Sequence, residues 1–389
     1  MTPFTAGHRI TLLHTGDEYF PTLEEAIDAA TDEIHLESYL YEDDATGRRV
    51  TEALARAAAR GVLVRVLVDG YGARNLVEPL RRRLLGAGAE VLVYRPERGL
   101  MPLRRYRLRR LHRKLAVIDG RIGFCGGINV IDDRDAQPGA APRFDFAVRV
   151  EGPVVEHMRR AVRRLWTLVQ WTTVGRRPRM GAESVESRPV AVAGDVDARF
   201  VVRDNLRNRR AIEERYLEAI GSARREIVIA NAYFLPGRTF RRALREAAAR
   251  GVRVRLLLQG LPDHLFVHYA SRALYGHFMQ AGVEIHTYLV THLHAKVAVI
   301  DGQWATVGSS NIDPFSLLLS REANVFVRNA GFAAQLRDSL EHAIATGSVP
   351  IVPDTWAMRP WYERALAWSA FQLSRVVAGL TGYGRRGDL

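Results

Sequence analysis

The sequence predicts an α/β fold assembled from two copies of one plan, each copy a mixed β-sheet flanked by helices. Two observations carry that reading. A charged amphipathic run that ends at a glycine and passes into an alternating β-branched run occurs at Ala59-Arg60-Gly61-Val62-Leu63-Val64-Arg65-Val66-Leu67 and again at Ala249-Arg250-Gly251-Val252-Arg253-Val254-Arg255-Leu256-Leu257. Downstream, His112-Arg113-Lys114 followed by Asp119 recurs as His294-Ala295-Lys296 followed by Asp301.

In chain order, Glu33 to Tyr39 and Glu226 to Tyr233 read as matching strands. Each is followed by the amphipathic helix that stops at Gly61 or Gly251, and then by a buried strand. Gly88-Ala89-Glu90-Val91 and Gly282-Val283-Glu284-Ile285 are turns into a further strand. The motif strands Leu115 to Ile118 and Val297 to Ile300 come next. Each ends at Asp-Gly and leads to a small-residue turn, Gly126-Gly127-Ile128-Asn129 or Gly308-Ser309-Ser310-Asn311. The glycine turns lie about 190 residues apart and the histidines about 182, so the first half holds about eight extra residues, placed between Arg95 and Arg110. Thr172 to Asp195 is rich in Arg, Pro, Gly and Ser and reads as a linker. The expected boundaries are 1–171, linker 172–195, 196–350, and an aromatic and basic tail 351–389.

The 56 Lys plus Arg residues against 43 Asp plus Glu give a formal net charge of +13, so anionic surroundings are expected: nucleic acid, an acidic membrane leaflet or phosphate-bearing substrates. Only Lys114 and Lys296 are lysines. Where arginine serves every other positive charge, a retained lysine points to a site that needs a compact ammonium. The single cysteine, Cys125, rules out an internal disulfide framework, and a reducing cytoplasm is the simplest setting. No stretch reaches the roughly 18 apolar residues of a membrane span, so any membrane contact is expected to be peripheral.

On a strand, residues two apart share a face, so His112 projects with Lys114 and His294 with Lys296. A single such pattern would signify little. By composition alone, both lysines acquiring histidine and aspartate at these spacings has a probability on the order of a few in a million. By the same parity Asp119 and Asp301 end their strands on the face opposite the lysine, and read as ties for the turn even though they belong to the motif.

Two H-x-K-x4-D motifs, each followed by a small-residue turn ending in asparagine, resemble the phospholipase D superfamily. Flanking segments such as Leu111 to Lys114, Ala230 to Phe234, Trp304 to Pro314 and Glu322 to Val325 resemble bacterial cardiolipin synthases of the short type. The resemblance implies two phospholipase D-like domains related by a pseudo-twofold axis around one shared active site. It implies His112, Lys114, Asp119, His294, Lys296 and Asp301 as the catalytic set, with His112 attacking phosphorus and His294 as acid and base. Asn129, Asn311 and Ser309 are candidates for holding phosphate, and Asp145 and Glu322 match the supporting carboxylates that orient the histidines. Neither metal nor cofactor is expected, because two histidines and two lysines suffice for phosphodiester exchange.

The expected reaction is a phosphatidyl transfer from phosphatidylglycerol, with phosphatidylethanolamine as second candidate donor, to another phosphatidylglycerol. The alternatives are a phospholipase D-type hydrolase, and a nuclease or nucleic-acid-binding protein using the same positive field. No nucleic-acid-reading module is recognisable, whereas arginines mixed with Leu, Met, Tyr and Trp suit an anionic lipid interface. Three such stretches stand out, at Arg95 to Arg110, Arg159 to Trp171 and beyond Pro360. Nucleic acid is therefore an unfavoured partner, no obligate protein partner is inferred, and the expected location is cytoplasmic at the membrane surface.

Overall fold

A computed structural model describes residues 3–74, 76, 78–96, 109–134, 141–174, 190–204, 208–261, 264–313 and 320–380. Most of the basic stretch before His112 (97–108) and of the expected linker (175–189) lies outside the described residues.

The first half runs β1 (Thr5–His14), α1 (Thr15–Asp28), β2 (Glu33–Ser38), α2 (Ala45–Ala59), β3 (Leu63–Asp69), α3 (Glu78–Gly86), β4 (Glu90–Tyr94), β5 (Lys114–Ile118), β6 (Ile122–Gly126), β7 (Phe146–Glu151) and α4 (Val154–Val174). The second repeats the plan: β8 (Val196–Arg203), α5 (Ala211–Ser222), β9 (Glu226–Asn231), α6 (Arg238–Ala249), β10 (Arg253–Gln259), α7 (Leu265–Arg272), α8 (Tyr275–Met279), β11 (Glu284–Tyr288), β12 (Lys296–Ile300), β13 (Trp304–Gly308), β14 (Glu322–Arg328) and α9 (Ala330–Gly347). β15 (Ser348–Pro350), α10 (Pro353–Ala357) and α11 (Trp361–Leu380) follow. Helix α4 takes the first residues of the expected linker, and β2 and β9 stop one and two residues before the ends that β-propensity suggested, because the chain there bends to enter the site.

The strands form one sheet in the order β15-β11-β10-β9-β12-β13-β14-β8-β1-β7-β6-β5-β2-β3-β4. From the β8–β1 junction outwards the two halves read identically, β14-β13-β12-β9-β10-β11 one way and β7-β6-β5-β2-β3-β4 the other, which is the signature of a pseudo-twofold axis. The parallel strands β2, β3 and β4 need helical crossovers, which α2 and α3 supply, and β5, β6 and β7 then pair antiparallel as a meander.

Alternation along each motif strand divides the interior. Leu115 and Val117, with Val297 and Val299, face a central core shared by both halves and completed by Val155, Met158 and Val162 of α4 and Leu336 and Leu340 of α9. Ala116 and Ile118 face a core belonging to the first half, beneath α1 and α2, and Ala298 and Ile300 the equivalent core of the second. The shared core buries the inner faces of both halves of the sheet together, so the halves are not independent beads. Helix α2 is capped by Asp44, whose Oδ1 accepts from the Gly47 amide at 2.7 Å, and ends at Gly61 with φ +90°, a value that favours glycine.

The Arg159 to Trp171 stretch, expected to be lipid-facing, is largely structural. Arg159 Nε donates to Glu33 Oε1 at 2.6 Å and Arg163 to Glu33 Oε2 at 2.7 Å, while Trp166 is buried under the Arg65 guanidinium. An amphipathic helix that must cover a sheet buries its aromatic face inward and uses its arginines to pair with strand carboxylates.

Candidate active site

β5 and β12 begin at the two lysines, and the segments that lead into them carry the histidines. Each segment is hooked to the opposite half of the chain. His112 N donates to the Arg321 carbonyl at 3.0 Å and Arg321 N to the Arg110 carbonyl at 2.7 Å. Symmetrically, His294 N donates to the Phe144 carbonyl at 2.9 Å and Phe144 N to the His292 carbonyl at 3.0 Å. These short parallel bridges put the residue after Arg321, Glu322, beside His112, and the residue after Phe144, Asp145, beside His294.

The side chains complete the exchange. His112 Nδ1 lies 3.0 Å from Glu322 Oε1, and His294 Nδ1 lies 2.6 Å from Asp145 Oδ2. A carboxylate on Nδ1 fixes the ring and leaves Nε2 as the reacting atom. Lys114 Nζ donates to the His112 carbonyl at 2.7 Å, and Lys296 Nζ donates to the His294 carbonyl. Both lysines are buried, as are Asn129, Ser309, Asn311, Asp145 and Glu322.

The two carboxylates are supported differently. Ser309 Oγ donates to Glu322 Oε2 at 2.5 Å, so Ser309 acts on the site by positioning Glu322. Its counterpart in the repeat is Gly127, where a Cβ would sit 2.2 Å from Asp145 Oδ1; only glycine lets that carboxylate reach its histidine. Asp145 Oδ1 accepts instead from the Phe146 amide at 2.8 Å. Asn129 Oδ1 accepts from Leu40 N at 3.1 Å, tying the loop after β2, and Asn311 lies at the matching position in the second half.

Burial dominates the proton affinities. It pushes His112 below its ordinary value against the pull of Glu322, and pushes His294 well below, with Lys296, Lys114, Arg143 and His112 acting in the same direction. The reciprocal backbone bridges and carboxylate contacts bring both histidines and both lysines into one site. Burial lowers Lys114 to about 7 and raises Asp145 to about 6. Burial also pushes Glu322 up, but His112, Lys114 and Arg203 outweigh it and leave its carboxyl below the usual range. His112 thus faces a carboxylate held low, whereas His294 pairs with a carboxylate that burial raises and lies among cationic groups.

Inclusion of the motif aspartates in the catalytic set is corrected by their position. Asp119 lies beyond the far end of β5, where Oδ1 accepts from Asp32 N at 2.8 Å and Glu33 N at 3.0 Å and Oδ2 from Thr31 N at 3.0 Å. Asp301 does the same for Arg224 N, Arg225 N and Glu226 N at 2.8–3.0 Å. Both have φ near +52° and cap the entry to β2 and β9, the role that strand parity suggests.

Three side chains of the site went unremarked in the sequence. Tyr39 packs on His112 with ring centroids 4.9 Å apart, and its ring lies 5.5 Å from Lys114 Nζ. Asp69 Oδ2 and Gln259 Oε1, at the ends of β3 and β10, accept from Leu111 N at 2.8 Å and Leu293 N at 3.1 Å, the residues just before the two histidines. A polar residue closing each of two matched apolar runs was the available signal.

Two imidazoles held by carboxylates and flanked by ammonium groups, in a duplicated α/β frame, supply the groups that phosphodiester exchange through a histidine nucleophile requires. The family described as "Cardiolipin synthase, PLD-like domain" matches this chain twice, over residues 23–166 and 216–344. The chain is 38% identical over 387 residues to cardiolipin synthase B of Escherichia coli K12, covering 97% of this chain and 90% of that one. It is 31% identical to the major cardiolipin synthase of Bacillus subtilis, over 86% of this chain and 68% of the other. Its fold is shared by phosphatidylserine synthase from Haemophilus influenzae, with a TM-score of 0.72, 14% identity and coverage of 97% and 96%. The chain belongs to the cardiolipin synthase family of the phospholipase D superfamily, a family of phosphatidyltransferases. Among the described residues no helix is long and apolar enough to cross a membrane.

Proposed function

We propose that the chain transfers a phosphatidyl group from phosphatidylglycerol to a second phosphatidylglycerol, releasing glycerol, with phosphatidylethanolamine as a second donor. The observation that carries it is the crossed pair of histidines, His112 on Glu322 and His294 on Asp145, flanked by both lysines. Neutral His112 Nε2 attacks phosphorus, and the P–O bond to glycerol breaks with its electron pair going to oxygen. His294, as imidazolium, donates the proton that the departing oxygen takes. His294 then accepts a proton from the hydroxyl of the acceptor lipid, whose oxygen attacks phosphorus, and the P–N bond breaks to return the electron pair to His112. Lys114 and Lys296 stabilise the non-bridging oxygens as charge redistributes. Asn129 and Asn311 stand ready to join them at the phosphate.

The reverse order of the histidines has one observation in its favour: Glu322 raises the proton affinity of His112, while the cations around His294 keep that ring neutral. Trapping of labelled donor decides between them, since the label stays on the attacking histidine.

A basic, aromatic rim suits a second anionic lipid. The guanidinium carbons of Arg110 and Arg74 each lie 4.9 Å from the Tyr71 ring centroid, and Arg321 Nε donates to Tyr94 Oη at 3.1 Å. The protein is expected to work at the surface of an anionic membrane from the cytoplasmic side. Vesicles containing phosphatidylglycerol provide the test. Cardiolipin with free glycerol supports transfer, phosphatidic acid alone makes the chain a hydrolase, and His112→Ala or His294→Ala each reduces turnover by at least about a thousandfold. Near-normal turnover in either variant overturns the shared-site mechanism.

A further inference from the structure

Away from the histidines, a cavity of about 590 Å³ opens between the α7–α8 segment and the C-terminal helices α10 and α11, lined in part by Arg272, Trp356, Arg359, Arg364 and Trp368. Trp356 stacks on Tyr275 with centroids 5.2 Å apart. The Arg359 and Arg272 guanidinium carbons lie 3.1 Å and 5.0 Å from the Trp356 ring centroid, so both cations gather on one indole. Among the described residues no carboxylate lies within 4.0 Å of the Arg272, Arg359 or Arg364 guanidinium nitrogens, and Glu363 acts on Arg359 from farther away. Burial, with Arg272 and Arg364 adding repulsion, pushes Arg359 down to about 10, and Glu363 offsets this only in part. Three arginines lining one cavity, with Glu363 offsetting their mutual repulsion only in part, make a site that an anion would stabilise.

Helix α11 supplies the second observation. Its inner face, Ala367, Ala370 and Ser374, is buried, and α11 packs on α7. Its outer face, where a helix in water normally carries polar groups, exposes Trp361, Tyr362, Leu366, Trp368, Leu373 and Val376. Trp368 belongs both to this face and to the arginine cavity. Tryptophans and leucines beside arginines are the composition of a helix lying in the headgroup and acyl boundary of a bilayer.

We propose that this cavity binds the phosphate of an anionic phospholipid in the bilayer while the outer face of α11 enters the acyl boundary, a docking site separate from the reacting histidines. It goes beyond phosphatidyl transfer, and rests on that reading only for the choice of a lipid phosphate. The site holds the enzyme on membranes that contain its substrate class without occupying the reaction centre.

The test is binding of the full chain, carrying His112→Ala so that nothing turns over, to vesicles of phosphatidylcholine with and without phosphatidylglycerol. Reversing the exposed Arg364 to Glu is expected to weaken partition into the anionic vesicles about tenfold and leave neutral vesicles unaffected. Leu366→Asn with Leu373→Asn lowers partition into both. With His112 restored, Arg364→Glu retains parental activity on a short-chain, water-soluble phosphatidylglycerol, and this arm separates a failure of docking from a failure of the transfer reading. Unchanged partition in Arg364→Glu overturns the proposal, as does loss of its activity on the soluble substrate. Inorganic phosphate that perturbs tryptophan fluorescence in the parent but not in Arg364→Glu, with no vesicle binding by either, also overturns it and assigns the cavity to a soluble anion.

Discussion

Glu322 and His112 come from opposite halves of the chain and meet at 3.0 Å, carboxylate oxygen to Nδ1. The mirror contact, Asp145 to His294, makes the exchange reciprocal, so neither half holds a complete acid–base unit by itself.

Replacing Glu322 by Gln removes the anion that supports the proton on His112. The pH at which His112 loses its proton should fall, read by NMR titration of the ring, and kcat should drop roughly a hundredfold. A titration midpoint unchanged from the parent would show that the carboxylate orients the ring without tuning it.

Asp145 behaves oppositely to Glu322 as pH changes. Its carboxyl is raised to about 6 in the fold from 3.8, so the native state binds more protons between those values and stability falls as pH rises through that window. Glu322 is held below 4.5, so its stabilisation is present above that value and is lost as pH falls through its lower native one. Asp145→Asn should therefore stabilise the protein at pH 8 by roughly 1–3 kcal/mol, and Glu322→Gln should not; denaturant unfolding at pH 5 and pH 8 checks both.

Arg113 and Glu37 form a buried ion pair, with Nε donating to Oε2 at 2.5 Å and Nη2 to Oε1 at 2.8 Å. The repeat places Ala295 and Ala230 at the same positions, both buried in the shared core. Arg113→Ala alone should cost about 3–5 kcal/mol by stranding Glu37, whereas Arg113→Ala with Glu37→Ala should recover a large part of that loss. Equal losses in the single and double variants would mean that packing, and not the stranded charge, sets the cost.

The motif aspartates give a separable stability effect. Asp119→Ala loses the bonds to Thr31, Asp32 and Glu33 and puts alanine at φ +52°, and should cost about 1–3 kcal/mol while kcat per folded molecule stays within about threefold. Asp119→Asn, which tolerates that backbone, should cost less. Activity abolished in folded Asp119→Asn would return this residue to the catalytic set.

The repeat, the α/β class and the two histidine-lysine pairs were all legible in the sequence, because each is written in local spacing: period two for the strands, glycine after the helices, and identical motifs at corresponding places. Tyr39 and the pair Asp69 and Gln259 escaped because they belong to the site only through contacts with Leu111, His112 and Leu293 across neighbouring strands. The tie between Arg159, Arg163 and Glu33 was equally hidden, and a basic aromatic run was read as lipid-facing in its absence.

What the sequence determined by itself is the chemistry available, two imidazoles and two ammonium groups in a duplicated frame. Which carboxylate serves which histidine was decided only by tertiary structure, since His112 and Glu322 are separated by 210 residues and His294 and Asp145 by 149. No local propensity couples such distant positions. Burial of one apolar core shared by the two halves sets how they dock, and that docking carries each carboxylate across to the other half's ring.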